Sequence, residues 1–329
     1  MSDSSLSMQS NQGSDMDLPT SSSMSKVAIL LATYNGQAYL QEQLDSIATQ
    51  TESNWALWAS DDGSTDQTIE ILNKFATRFP SGQVNVLDGP KTGFANNFLS
   101  LIHNPEVIAQ HYAYADQDDV WLSDKLERAL VFLEKTPTQT PALYCSRTEY
   151  VNENLVHIGC SVDQQRPATF SNALVQNIAS GNTMVFNQAT RSLLVSAGEE
   201  LKISLHDWWT YLAVAACGGQ VCFDRKPSLL YRQHANNVWG KNTGWINRYV
   251  RIKKLFEGRF RGWNQEHITA LGALNQLVTA NNQKIIAAFI QIRQGNLLTR
   301  LFYLKKSGLY RQKLLGNLGL WVGAIFHKI

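Results

Sequence analysis

KVAILLATYN (residues 26–35) runs through six apolar residues without a break and then turns polar. An unbroken apolar run of that length predicts a strand buried on both faces, as in a parallel sheet. QAYLQEQLDSIATQ (37–50) follows with Leu40, Leu44 and Ile47 at helical spacing. NWALWASDDGSTD (54–66) repeats the strand-then-polar-turn pattern, and TIEILNKFATRF (68–79) reads as an amphipathic helix with Ile69, Leu72 and Phe75 on one face. QVNVLD (83–88) predicts a short strand, GFANNFLSLI (93–102) a helix, HYAYADQDD (111–119) a strand and LSDKLERALVFLEK (122–135) a helix. Strands alternating with helices predict right-handed crossovers and a mostly parallel α/β sheet flanked by helices.

Open parallel sheets bind ligands beyond the carboxyl ends of their strands. Three polar stretches fall at such ends: ATYNG (32–36), SDDGSTD (60–66) and DQDD (116–119). The fold would gather Tyr34, Asp61, Asp62, Asp116, Asp118 and Asp119 along one rim. Five carboxylates on one rim need a cation or many donors. A hard divalent ion, Mg²⁺ or Mn²⁺, shared with a diphosphate meets that need, since such ions take carboxylates together with phosphate oxygens. Singly, DDGSTD also suits a turn and helix cap, and DQDD a solvated turn with Asp119 near a positive helix end. Their order on successive strands argues for a shared site.

The matching pieces ILLATYNGQAYLQEQLDSI, WASDDGSTDQT, GFANNFL and YADQDDVWLSDKL resemble glycosyltransferase family 2, whose fold is the Rossmann-like GT-A nucleotide-sugar fold. The resemblance covers about the first 140 residues, with four motifs in family order. It implies that Tyr34 contacts the nucleobase and Asp62 reads a pyrimidine imide N–H. Asp116 and Asp118 correspond to the DxD pair, the first nearer the ribose and the second on the metal. Asp119 then orients the loop or its water.

Shorter stretches extend the resemblance. SGNTMVFN (180–187) is similar to the acceptor-side loop and brings in Asn182. SLHDWWTYLAVAACGG (204–219) reads as a helix opening with His206 and Asp207. An acid in that place is the family's general base, which makes Asp207 the catalytic residue. Its plainer role is a helix-start acid facing the dipole. Of Trp208 and Trp209, one is expected in the core and the other, Trp208, on a sugar face. PSLLYRQHANNVWG (227–240) returns His234, expected at the metal or diphosphate. These stretches are most similar to bacterial rhamnosyltransferases.

The implied reaction is inverting, metal-dependent transfer, with Asp118 holding the cation at the leaving diphosphate. Asp207 would deprotonate the acceptor hydroxyl from the opposite side. The resemblance points to L-rhamnose moved from dTDP-L-rhamnose to a glycan or a polyprenyl-diphosphate-linked saccharide in bacterial surface polysaccharide (O-antigen or capsule) synthesis. The alternatives are a UDP-hexose donor, since uracil and thymine share the imide edge, or a non-catalytic nucleotide-sugar or glycan binder with no use for Asp207. A nucleotidyltransferase would carry a Gly-rich, basic loop after the first strand; ATYNGQAYL has one Gly and no Lys or Arg.

At 329 residues, 44% hydrophobic and 17% charged, the chain has the composition of a folded domain with room for an appendage. Four cysteines without a CxxC pair argue against a zinc ribbon or a disulfide framework and fit a reducing compartment. The Ser-rich residues 1–25 lack an apolar signal core and are expected to be a disordered tail.

Charge divides the chain. Residues 1–240 hold 14 Lys and Arg against 25 Asp and Glu, whereas residues 241–329 hold 15 against 2. The expected division is therefore a tail (1–25), a GT-A domain (26–240) and a basic helical, membrane-proximal region (241–329). WINRYVRIKKLFEGRFRGW (245–263) interleaves Arg and Lys with aromatics, and residues 296–329 contain no acid. The expected partner is an anionic membrane surface, the plainer alternative being a helical appendage packed on the catalytic domain with a solvated basic face; the active-site motifs give nucleic acid no role. No stretch reaches about 18 uninterrupted apolar residues, which excludes a membrane-embedded synthase. The expected location is the cytoplasm, peripheral on the inner membrane.

Overall fold

The structure is a computed structural model that describes residues 25–234 and 259–329. The expected tail and the basic stretch with Trp245, Arg248, Tyr249, Arg251, Lys253, Lys254, Leu255 and Phe256 lie outside the described residues.

Four strands, β1 (Ser25–Thr33), β2 (Trp55–Asp61), β3 (Val84–Asp88) and β4 (Ala109–Ala115), alternate with α1 (Leu40–Ala48), α2 (Thr68–Ala76) and α3 (Phe94–His103). β1 pairs in parallel with both β2 and β4, and β2 with β3. Then follow β5 (Val120–Trp121), α4 (Lys125–Leu133), β6 (Ala142–Ser146), β7 (Glu149–Val151), β8 (His157–Cys160) and α5 (Phe170–Ala173). A 3₁₀ turn (Gly181–Thr183) leads into β9 (Val185–Asn187), α6 (Gln188–Ser196), α7 (His206–Ala216), β10 (Gln220–Asp224) and β11 (Leu229–Arg232). The main sheet has the order β10-β6-β9-β4-β1-β2-β3. It is parallel except at β9, which runs antiparallel to β4 and β6.

The alternation in β1 explains the layering. Val27, Ile29 and Leu31 face one core with Leu40, Leu44, Ile47, Leu72 and Phe75 of α1 and α2. Ala28 and Leu30 face the other, with Phe98 of α3 and Trp209 and Leu212 of α7. Each fully buried Leu or Ile contributes about 1.5–3 kcal/mol. α7 is apolar almost all round because it is enclosed, and Tyr211 through Ala216 are buried.

A second sheet, β5-β11-β7-β8, was not legible in the sequence. Its strands of two to four residues are too short for a periodicity to register. The antiparallel β5–β11 register pairs Leu229 with Trp121 and Leu230 with Val120. It carries the end of β11 back to the DQDD loop.

The C-terminal helices are α8 (Arg259–Ala273), α9 (Ala280–Gln294), α10 (Leu297–Ser307) and α11 (Leu314–Ile325). Their buried residues Leu271, Phe289, Ile292, Leu304 and Leu320 belong to the same hydrophobic cluster as α3 and α7. Asn282 ties α9 to the end of α7 by donating to the carbonyls of Ala215 and Ala216 at 3.0 and 2.9 Å.

Candidate active site

The carboxyl ends of β1, β2 and β4 lie side by side, so the three polar stretches meet on one edge. Tyr34 follows β1 with its ring 57% exposed. Its backbone is clamped by Gln117: the Tyr34 N–H donates to Gln117 Oε1 at 2.8 Å, and Gln117 Nε2 donates to the Tyr34 carbonyl at 3.0 Å. A Cβ at Gly36 would lie 2.4 Å from Gln117 Oε1, so this crossing needs glycine.

The two aspartates of DDGSTD divide their work. Asp61 is enclosed and accepts from Thr33 Oγ1, Ser64 Oγ and the Ser64 and Gly63 N–H groups, at 2.8, 2.6, 2.7 and 3.1 Å. It builds the turn. Asp62 accepts from the N–H groups of Lys91 and Gly93 at 2.6 and 2.7 Å. It thereby holds a loop in which both residues have positive φ, 59° and 98°. Each Asp62 oxygen keeps a lone pair for a further donor.

DQDD forms the centre. Asp118 Oδ2 lies 2.7 Å from His234 Nε2, and the His234 ring packs on Tyr39 at 4.8 Å. Arg232, buried, donates to the Asp118 carbonyl at 3.1 Å and to Glu42 at 2.5 Å. Asp116 is pushed up to about 7 by burial and by the charges of Asp118 and Asp207. Asp119 is fully buried, and burial with its carboxylate neighbours raises it well above the usual range. Its Oδ2 accepts from Asn182 Nδ2 at 2.6 Å, and its Oδ1 has no partner.

Two cations here escaped the reading of the sequence, Arg232 and Lys125. The Lys125 ammonium is buried, lies 3.4 Å from the Trp121 ring centroid and donates to the Asn182 carbonyl. Burial lowers its pKa well below the usual value, while Asp119 and Asp116 oppose that shift. One signal was available. Lys125 is the first residue of α4, where the helix dipole disfavours a cation.

Asp207 sits in the first turn of α7. Its Oδ1 accepts from the Trp208 N–H at 2.6 Å and its Oδ2 from Asn177 Nδ2 at 2.9 Å. Burial pushes it up to about 6 against those bonds. Gly181 lets the 3₁₀ turn approach: a Cβ there would stand 2.9 Å from His206 Nε2 and 3.2 Å from Asp207 Cβ. His206 stacks on Phe98 at 4.0 Å, and neither ring nitrogen has a partner.

Two expectations change. Trp208 is 4% exposed, donates its indole N–H to the Ala173 carbonyl at 2.6 Å and packs against Phe260, Trp263 and His267. That enclosure leaves it no face for a sugar; Trp208 and Trp209 are both core residues. Asn182 is buried between Asp119 and Lys125, so it supports the loop from beneath rather than facing a substrate.

The donor set suits a hard divalent ion. Among the described residues no group of three His, Cys, Asp or Glu side chains converges to hold a metal. Asp118 with His234 is a partial set, with Asp116 close by. Mg²⁺ and Mn²⁺ typically complete such a set with substrate phosphate and water. Burial, and after it the repulsion of the neighbouring carboxylates, raises Asp116 and Asp119, and the repulsion is what a cation would relieve.

A mostly parallel sheet with an aspartate-rich rim and a second carboxylate on a facing helix defines a nucleotide-sugar transferase of the GT-A type. Residues 28–192 match the model of "Glycosyl transferase family 2", and the chain belongs to that family and is a glycosyltransferase. The dTDP-rhamnosyl transferase RfbG of Shigella flexneri is 29% identical over 268 residues, 77% of this chain and 87% of that protein. An uncharacterised protein of Mycobacterium tuberculosis is 24% identical over 72% of this chain, which spans 65% of that protein's length. The crystal structure of residues 1–349 of S. aureus TarS in complex with UDP-GlcNAc superposes with a TM-score of 0.53 at 14% identity, covering 92% of this chain and 90% of that one. At that identity the likeness is one of fold.

Proposed function

We propose that the chain transfers L-rhamnose, with inversion, from dTDP-L-rhamnose to a glycan or polyprenyl-diphosphate-linked saccharide during bacterial surface polysaccharide synthesis. The observation that carries the chemistry is the pairing of a rim carboxylate, Asp118, beside His234 with a second carboxylate, Asp207, across the site. The similarity to RfbG over most of both chains supports the choice of donor.

The exposed Tyr34 ring offers a stacking face for the pyrimidine, and Asp62 an acceptor for its imide N–H. Asp116 would face the ribose, next to the metal-holding pair. Asp118 and His234 are the residues that would hold Mg²⁺ or Mn²⁺, which when bound neutralises charge on the leaving diphosphate. Lys125, from beneath, offsets the carboxylates that face no phosphate. At about 6, Asp207 is still ionised at neutral pH and more basic than an ordinary carboxylate, and the Trp208 and Asn177 bonds fix the direction of its carboxylate. Taking the proton of the acceptor hydroxyl there directs attack from the side opposite the diphosphate. Residues 26–240 then carry the chemistry, and residues 241–329 hold the enzyme to the cytoplasmic face of the membrane.

The test is release of nucleoside diphosphate from a panel of sugar nucleotides with Mg²⁺, Mn²⁺ or EDTA. dTDP-L-rhamnose is expected to be consumed fastest, and only with the divalent ion. Preferential consumption of a UDP-hexose would move the donor to the alternative. Binding without consumption of any donor would make the chain a binder.

A further inference from the structure

The last two helices leave an apolar surface uncovered. In α11, Leu314, Leu318, Val322 and Ile325 recur at helical spacing and are all exposed, Leu314 to 85%. In α10, Leu298 and Phe302 stand one turn apart, 79% and 59% exposed. Arg300 bridges the two helices by donating to the Ile325 carbonyl at 3.3 Å. Apolar area of this extent marks an interaction surface.

Charge selects the occupant. From residue 297 to residue 329 there are six Lys and Arg and no Asp or Glu. Lys305, Lys306 and Lys313 are exposed, and the Lys306 ammonium lies 5.8 Å from the Phe302 ring centroid. A second copy of the chain would set six cations against six. An anionic bilayer takes both the leucines and the lysines. Among the described residues no helix is long and apolar enough to cross a membrane. Helices of 11 and 12 residues suit the interface instead.

The surface is also tied to the catalytic base. The turn between α10 and α11 lies on residues 166–176. Gln312 pairs with the Arg166 backbone at 2.8 and 2.9 Å and donates its own N–H to Gln176 at 2.8 Å. Tyr310 Oη is shared with Thr169 at 2.9 Å, and Asn172 Nδ2 donates to the Tyr310 carbonyl at 3.0 Å. The same segment continues into Ala173, which accepts from Trp208, and Asn177, which donates to Asp207.

We infer that α10 and α11 form a two-helix platform that lies on an anionic phospholipid bilayer and holds the Asp207 side of the site at a fixed attitude to it. The inference rests on the transfer reading only for its consequence, that a lipid-linked acceptor is presented at Asp207. Vesicle binding itself is independent of the donor.

The experiment uses the full chain with sedimenting vesicles of phosphatidylcholine alone or with phosphatidylglycerol. Wild type should partition to the anionic vesicles and less so at high salt. Leu314→Ser/Leu315→Ser/Leu318→Ser should lose at least tenfold in partition. Lys305→Gln/Lys306→Gln/Lys313→Gln should lose on the order of a hundredfold, at about tenfold per 1.4 kcal/mol and ~1 kcal/mol per lysine. All six positions are exposed, and both variants should keep wild-type donor hydrolysis. Equal binding to neutral vesicles, unchanged binding in both variants, or a dimer that the leucine variant dissolves would overturn the inference. Loss of donor hydrolysis in wild type would instead count against the transfer reading and leave the vesicle result standing.

Discussion

His234 Nε2 lies 2.7 Å from Asp118 Oδ2, although the two residues are 116 positions apart. The contact exists because β11 pairs with β5 immediately after the DQDD loop. It makes the end of β11 part of the aspartate-rich edge.

Asp118→Asn is expected to abolish divalent-dependent transfer with the fold unchanged by circular dichroism. His234→Gln should weaken the apparent metal affinity by about 10–100-fold, read from activity against Mn²⁺ concentration. An unchanged metal titration in His234→Gln would remove the histidine from the site.

Replacing the base should separate binding from turnover. Asp207→Asn should bind donor as wild type and lose ~10²–10⁴ in kcat. Because burial holds Asp207 at about 6, its proton returns as pH drops below that value. kcat/KM should therefore be flat above about pH 7 and fall with decreasing pH below about 6. A profile flat down to pH 5 would exclude it as the base.

Tyr34→Ala should raise KM for the donor about tenfold, with kcat little changed. Loss of a stacked base costs ~1–3 kcal/mol, and the contact is the same in ground and transition states. An equal fall in kcat would mean that Tyr34 acts on the reacting centre.

Lys125→Met should destabilise the chain by about 1–3 kcal/mol, because it leaves the buried Asn182 carbonyl without its donor and removes the amine that faces Asp119 and Asp116. Adding Asp119→Asn should recover much of that loss in urea unfolding. Additive losses in the double variant would show that the two groups do not interact.

The buried histidines should make stability pH-dependent. Burial lowers His206 to about 3 and His267 to about 4, below the ordinary value of 6.5. Between those values the unfolded chain takes up protons that the native chain refuses, so the histidines' share of the stability is full above about pH 6.5 and is lost as pH falls, while Asp116 and Asp207, raised to about 7 and 6, act in the opposite sense. At pH 5 each histidine should cost about 2 kcal/mol. Relative to wild type, His206→Leu should raise the urea midpoint at pH 5 more than at pH 7; an unchanged difference between the two pH values would assign the effect elsewhere.

The local alphabet of the chain was enough to write the parallel half of the fold and its rim. VAILLA, then ALWA, then YAYA are apolar runs that can only be buried, and each ends in polar residues. Parallel pairing aligns those ends without any further information, which is why Tyr34, Asp62, Asp116 and Asp118 were readable as lying on one edge. The charge division between residues 240 and 241 was equally plain, because charge is a property of composition. Tertiary structure decided the rest. The two tryptophans after Asp207 are indistinguishable in sequence, and only the packing of α8 on α7 encloses Trp208 as well as Trp209. Asn182 resembled a surface loop residue until the 3₁₀ turn placed it beneath Asp119. Lys125 and Arg232 were hidden for the same reason: a buried cation is stable only beside carboxylates that other segments supply, 6 residues away for Lys125 and Asp119 but 190 for Arg232 and Glu42. Such partners are set by the path of the chain through space, and apart from the misplaced charge at the start of α4 no local pattern points to them.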